Sequence, residues 1–148
     1  PERLSTYAFV DQTHIGNKLY YVDGDGLLMR GYAVGKASKL KRPPSVGPDE
    51  RWIHIDLSEQ TLVAYEGDRP VFATLVSTGK KGSKAEPFDT PPGRYRIRSK
   101  HVSTTMDGNT ASDGNYSIQD VPWAMFFEGS YALHGAFWHD GFGRVRSQ

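Results

Sequence analysis

The residues best suited to chemistry lie at the end of the sequence, in Ala132-Leu133-His134-Gly135-Ala136-Phe137-Trp138-His139-Asp140-Gly141-Phe142-Gly143-Arg144-Val145-Arg146-Ser147-Gln148. His134 ends an apolar, strand-like run and directly precedes Gly135. A glycine there lets the backbone bend and turn its carbonyl inward. His139 and Asp140 follow, with Trp138 beside them. An imidazole exchanges protons near neutral pH and also binds metals, so two chemistries are open. In one, His134, His139 and Asp140 are metal ligands. In the other, His134 is the general base for a nucleophile carried elsewhere. The metal reading lacks a His-Glu-x-x-His or His-x-His spacing and a second ligand cluster, which favours the base. A packed histidine without function stands as the bland alternative.

The other three of the five histidines have less to offer. His14 sits in a polar context, His54 lies in a strand-like run beside Trp52 and Asp56, and His101 leads into a polar segment. Strand histidines are most often packed or solvated. Ser147 is a candidate nucleophile, but no Gly-x-Ser-x-Gly elbow surrounds it. Ser77 and Ser103-Thr104-Thr105 have no base beside them in sequence. There is no cysteine, so these 148 residues carry neither a disulfide nor a thiolate.

The elements that must position these groups read as strands. Valine, threonine, tyrosine and phenylalanine recur in short runs cut by glycine and proline. No apolar face repeats at helical spacing over three turns, so little helix is expected. The length allows one domain, or one domain with a small appendage. A formal net charge of +1 carries no nucleic-acid signature. Basic residues cluster at Lys36, Lys39, Lys41 and Arg42 and again at Lys80, Lys81 and Lys84, which read as a solvated linker and a solvated loop. No run is apolar and long enough to span a membrane, and no signal peptide opens the chain.

Residues 1–35 read as a small β appendage. Asp23-Gly24-Asp25-Gly26 joins Leu19–Val22 to Leu27–Val34 as a hairpin. Residues 36–50, with Pro43-Pro44, read as a Pro/Lys-rich linker. From Arg51 a meander is expected over Trp52–Leu57, Thr61–Glu66 and Val71–Thr78, the first strand central because it is bulky. A loop over 79–89 and a sharp Thr90-Pro91-Pro92-Gly93 bend lead into a strand over 94–100. Residues 101–116, including Asp113-Gly114-Asn115, read as a long polar loop of the kind that forms lids. Val121–Glu128 reads as a strand that Pro122 keeps to an edge or a start. Gly129-Ser130 turns it into Tyr131–His134.

Taken in order, four of these pieces resemble the L,D-transpeptidase catalytic domain, the YkuD-like family of cell-wall cross-linking enzymes. Trp52–Leu57 through Leu62–Tyr65 resembles the family's opening hairpin, and Thr74–Gly79 its next strand. Thr90-Pro91-Pro92-Gly93-Arg94-Tyr95 resembles the Thr-Pro-x-Gly-x-[Phe/Tyr] bend. Tyr131–Gly135 with Gly143 and Ser147 resembles the His-Gly, then Ser-x-Gly-Cys, ending. Gln148 stands where that pattern commonly has His, and Gly and the nucleophilic Cys are expected as the next two residues. The resemblance covers about two-thirds of the chain, residues 51–148.

The resemblance implies an L,D-transpeptidase-like β-sandwich behind a small N-terminal β appendage. It implies a peptidoglycan L,D-transpeptidase in which the Cys attacks a stem-peptide carbonyl, forming a thioester, with His134 as base and the Gly135 carbonyl orienting the imidazole. Ser147 would help shape the oxyanion site. Met106, Trp123, Trp138 and His139 would line the substrate groove. No metal or organic cofactor is implied. The partners are peptidoglycan stem peptides and further polypeptide carrying the Cys, without which the 148 residues should be inactive. Peptidoglycan places the protein in the cell envelope, outside the cytoplasmic membrane. The alternatives are an L,D-carboxypeptidase, a peptidoglycan-binding module that has lost the nucleophile, and a serine hydrolase using Ser147.

Overall fold

The computed structural model describes residues 4–82, 88–110 and 114–147, with the side chains of 109, 110 and 114–116 left aside. Lys84, Asp113 and Gln148, singled out above, lie outside these residues. The architecture is mostly β, as expected, and consistent with a sandwich-like fold. The described residues form three antiparallel sheets of three strands, in the orders β1-β2-β3, β4-β5-β6 and β7-β8-β9. One 3-10 turn, Gly31–Ala33, is the sole helical element among the described residues. No helix among them is long and apolar enough to cross a membrane.

The chain separates into two compact units. The first takes the residues up to Ser77 together with Phe142–Val145, and the second takes Thr78–Gly141 with Arg146 and Ser147.

In the first unit, β1 (Phe9–Ile15), β2 (Lys18–Asp23) and β3 (Leu28–Arg30) form one sheet. The expected Asp-Gly turn is present. Asp23 Oδ1 accepts the amides of Asp25 at 3.0 Å and Leu27 at 2.8 Å, and Gly26 takes a φ of +81°. This is the side-chain turn that aspartate makes with its own backbone, closed by the residue that tolerates positive φ. The strand expected over Leu27–Val34 is shorter, giving way at Gly31 to the 3-10 turn.

The second sheet holds β4 (Arg51–Asp56), β5 (Thr61–Glu66) and β6 (Arg69–Leu75), the expected meander. Its central strand is β5, not the Trp52 strand. β5 buries every second residue, Thr61, Val63 and Tyr65, on one face. A side-chain period of two makes that face the core. Bulk misled here: Trp52 stands opposite Tyr65 with the rings stacked at 4.0 Å, and its indole nitrogen donates to the Gly67 carbonyl at 2.8 Å. An edge strand can carry a large ring when the neighbouring strand supplies the stacking face.

The second unit is built on a long hairpin. β7 (Ser99–Thr110) pairs with β8 (Gly114–Glu128), and β9 (Tyr131–Leu133) pairs with the end of β8. Two expectations are corrected. The strand expected over 94–100 begins only at Ser99, and the long loop expected over 101–116 is mainly ladder. Val102, Thr104 and Thr105 supply β-branched residues that suit a pleat. Serine, aspartate and glycine between them leave no clean apolar alternation to read. Pro122 also differs from expectation, since β8 is the middle strand. However, β9 reaches only as far as Met125, so beside Pro122 the ladder has β7 alone. Asp120 and Trp123, at φ of 55° and 56°, kink the strand on either side of the proline. Between those kinks Val121 is fully buried, and Ala124 just beyond them is too. Phe127 completes this core against Tyr95 and Tyr131, with ring centroids at 5.2 and 6.2 Å.

Candidate active site

β9 is three residues long, and its job is to deliver His134. Just past its end the Gly135 amide donates to the Pro122 carbonyl at 2.8 Å. A β-carbon at residue 135 would stand 2.8 Å from the Pro122 Cγ, so the close approach of the proline ring to this backbone favours glycine. Pinned this way, the Gly135 carbonyl lies 3.0 Å from His134 Nδ1. A carbonyl oxygen can only accept, so Nδ1 carries the hydrogen. In the neutral ring Nε2 is then the lone-pair nitrogen, able to take a proton.

Trp138 lies against the same imidazole. Its ring centroid is 5.7 Å from that of His134 with 28° between the planes. Phe137 meets Trp138 edge-on at 5.2 Å while itself staying 66% exposed. His139 is the opposite tautomer of His134. The Gly141 amide donates to His139 Nδ1 at 3.2 Å, so that nitrogen is the acceptor and any hydrogen of the neutral ring sits on Nε2. Its ring meets Trp138 at 6.4 Å. Thus His134, Gly135, Trp138 and His139 form one connected cluster. Among the described residues no group of three His, Cys, Asp or Glu side chains is arranged to hold a metal ion.

The remaining candidates are held elsewhere in this unit. Ser147 forms an isolated parallel bridge with Gly79. Its amide donates to the Thr78 carbonyl at 3.0 Å, and its carbonyl accepts from Lys80 at 3.1 Å. Arg146 Nη1 donates to the Thr78 hydroxyl at 2.8 Å, and Thr78 is buried. Gly79 is fixed in turn, because its amide donates to Thr90 Oγ1 at 2.9 Å. The threonine of the Thr-Pro-Pro-Gly bend therefore holds the segment on which Ser147 rests. Trp123 follows Pro122 and is 67% exposed. Met106 lies further toward the hairpin tip, opposite Ile118 and half-buried.

Three contributors were not singled out from sequence: Pro122, which anchors Gly135, and Thr78 and Thr90, which anchor the Ser147 segment. Two signals were available: a proline inside an otherwise strand-like run, which pointed to an edge rather than to an anchor, and Thr90 at the head of the Thr-Pro-Pro-Gly bend, which read as a turn.

The family model for the L,D-transpeptidase catalytic domain, YkuD, matches residues 50–148. No curated protein and no solved structure matches the chain.

Proposed function

Since the chain belongs to the YkuD family of L,D-transpeptidase catalytic domains, we propose that it catalyses acyl transfer between peptidoglycan stem peptides with His134 as the general base. The observation that carries this reading is the 3.0 Å contact between His134 Nδ1 and the Gly135 carbonyl. It commits one ring nitrogen to the backbone and leaves Nε2 for proton transfer, the arrangement that a carboxylate provides in other nucleophile–histidine sites.

The sequence has no cysteine, and in this proposal the thiol belongs to a cysteine two residues after Gln148 in the full-length polypeptide. His134 Nε2 takes the thiol proton, and the sulfur bonds to the carbonyl carbon between an L- and a D-residue. The C–N bond breaks, and the departing amine takes the proton from His134. An amine of a second stem then attacks the thioester and gives its proton to Nε2, and the sulfur leaves. Water in place of the amine would make the reaction a carboxypeptidase one. Ser147, held beside Gly79, shapes the oxyanion site. Met106, Trp123, Trp138 and His139 line the groove. Trp123 has the strongest support among these: a non-glycine residue at positive φ with a largely exposed apolar ring is strained, and strain of this kind gathers at binding sites.

In this reading residues 51–148 belong to the catalytic domain, 36–50 form a linker and 1–35 a β appendage. The substrate places the protein outside the cytoplasmic membrane.

The deciding experiment is mass spectrometry of the full-length protein after incubation with a carbapenem. The expected product carries one covalently added β-lactam, and His134→Ala slows its formation by about 100-fold or more. An unchanged mass, combined with retained binding to cell-wall sacculi, would instead identify a peptidoglycan-binding module. Loss of activity in Ser147→Ala with the cysteine left intact and unacylated would point to a serine hydrolase.

A further inference from the structure

The hydrogen bond from His134 to Gly135 fixes less than it first suggests. It joins neighbouring residues, and a single neutral hydrogen bond holds a side chain only weakly. It chooses which edge of the imidazole faces the backbone, but the ring can still swing about that contact. A second restraint on the plane of the ring is needed before Nε2 has one direction.

The indole of Trp138 lies close to parallel with the imidazole, 28° apart at 5.7 Å. Trp138 is itself braced by the edge of Phe137 at 5.2 Å and 82°. A large flat ring lying offset and near-parallel against the imidazole opposes tilting, because a swing toward it runs into the indole and a swing away loses the contact. The hydrogen bond and the stack act on different degrees of freedom, one within the ring plane and one across it.

We infer that Trp138 is a positioning residue: its indole sets the plane of the His134 imidazole, so that Nε2 keeps a single direction and the ring a single tautomer. This rests on the reading of His134 as the base. It goes beyond a lining role, because the indole acts here through the histidine and not on the substrate. Phe137 contributes by holding the indole against the imidazole.

Two measurements on the full-length protein test this. The first needs no substrate: long-range proton–nitrogen spectra of protein labelled with nitrogen-15 at histidine report the tautomer of each neutral ring. The native protein is expected to show His134 with hydrogen on Nδ1 alone. Trp138→Leu is expected to show a mixture of both tautomers, and Trp138→Phe, which keeps a flat face, to restore the single form. The second measurement is steady-state transfer. Trp138→Leu should lower kcat by about tenfold or more with a smaller change in KM, since misdirecting a catalytic group is a transition-state loss. Trp138→Met, which fills space without a flat face, gives the same readings should the leucine variant fold poorly. A Trp138 that merely lines the groove predicts the reverse, a raised KM with kcat and tautomer unchanged, and that result overturns the inference. If the native protein transfers nothing, the proposed function falls, while the tautomer spectra still decide the role of Trp138.

Discussion

Gly135 and Pro122 touch through backbone on one side and leave no room on the other: the Gly135 amide reaches the Pro122 carbonyl at 2.8 Å, and a β-carbon on Gly135 would meet the Pro122 ring at the same distance. A pyrrolidine ring cannot rotate out of the way as a long side chain would. Gly135→Ala must therefore part the end of β9 from β8 and move the carbonyl to which His134 is bonded. We expect a loss of about 1–3 kcal/mol in stability and a drop of roughly 100-fold in transfer rate. Urea denaturation and a rate assay of the full-length variant measure the two effects. A variant with native rate would show that the Gly135 carbonyl does not need its observed place.

Gly79 sits under a harder constraint. A β-carbon there would stand 1.9 Å from the Phe88 carbonyl oxygen and 2.9 Å from the Thr90 amide, both backbone atoms. Gly79→Ala can be accommodated solely by separating the 78–80 segment from Phe88–Thr90. That separation breaks the Gly79–Thr90 hydrogen bond and disturbs the bridge to Ser147. Destabilisation of about 3 kcal/mol is expected, at the upper end for overpacking. Thr90→Val, which removes just the hydroxyl acceptor, should cost about 1 kcal/mol. Equal midpoints for Gly79→Ala and the native protein in chemical denaturation would contradict this account.

The contrast between these anchors and the elements explains how far the sequence could be read. The meander from Arg51 was legible because β5 alternates strictly, and the Asp23–Gly26 turn because aspartate and glycine have a mechanism there. β7 was not legible as a strand: its half-buried positions, Thr104, Met106 and Gly108, alternate with exposed ones, but only Met106 of the three is a large apolar residue, so no hydrophobic alternation shows. His134 stood out by residue type and by the glycine after it. Pro122, whose carbonyl accepts the amide of that glycine, did not. It reaches the site through its backbone at a strand kink, which leaves no periodic trace. Thr78 and Thr90 were legible as the end of a strand and the start of a bend, but their anchoring role shows only once their hydroxyls are seen bonded.

Acid sensitivity is predicted at the β4–β5 turn. Asp56 Oδ1 accepts the Ser58 hydroxyl at 2.6 Å and the amides of Ser58 and Glu59 at 2.8 and 3.0 Å. The Ser58 hydroxyl above all, then the Glu59 amide, hold this carboxyl below the ordinary aspartate range, with burial opposing them. A carboxyl whose native value is depressed stabilises the fold above its unfolded value, about 4. That contribution fades as the pH falls through the native value, below which both states are protonated. Ser58→Ala should therefore lower the urea midpoint at pH 7, and the difference from the native protein should shrink as the pH falls below about 4. A difference that stays constant across that range would place the effect of Ser58 outside the charge of Asp56.

Tyr65 ties the proline-rich segment to the β4–β6 sheet. Its ring is 1% exposed and stacked on Trp52, and its hydroxyl accepts the Leu40 amide at 3.1 Å. These two functions separate cleanly by substitution. Tyr65→Phe keeps the stack and removes the acceptor, so it should cost about 1 kcal/mol. Its signature is faster amide exchange at Leu40, while exchange within β5 stays native. Tyr65→Ala removes the largest ring of this core and should cost about 3–5 kcal/mol, because the space left beside Trp52 is not refilled. Its signature is global, with amide exchange faster throughout β4–β6. If Tyr65→Phe left exchange at Leu40 unchanged, the segment would be held by contacts other than this hydroxyl, and the Arg42–Asp68 ion pair at 3.6 Å would be the next to remove.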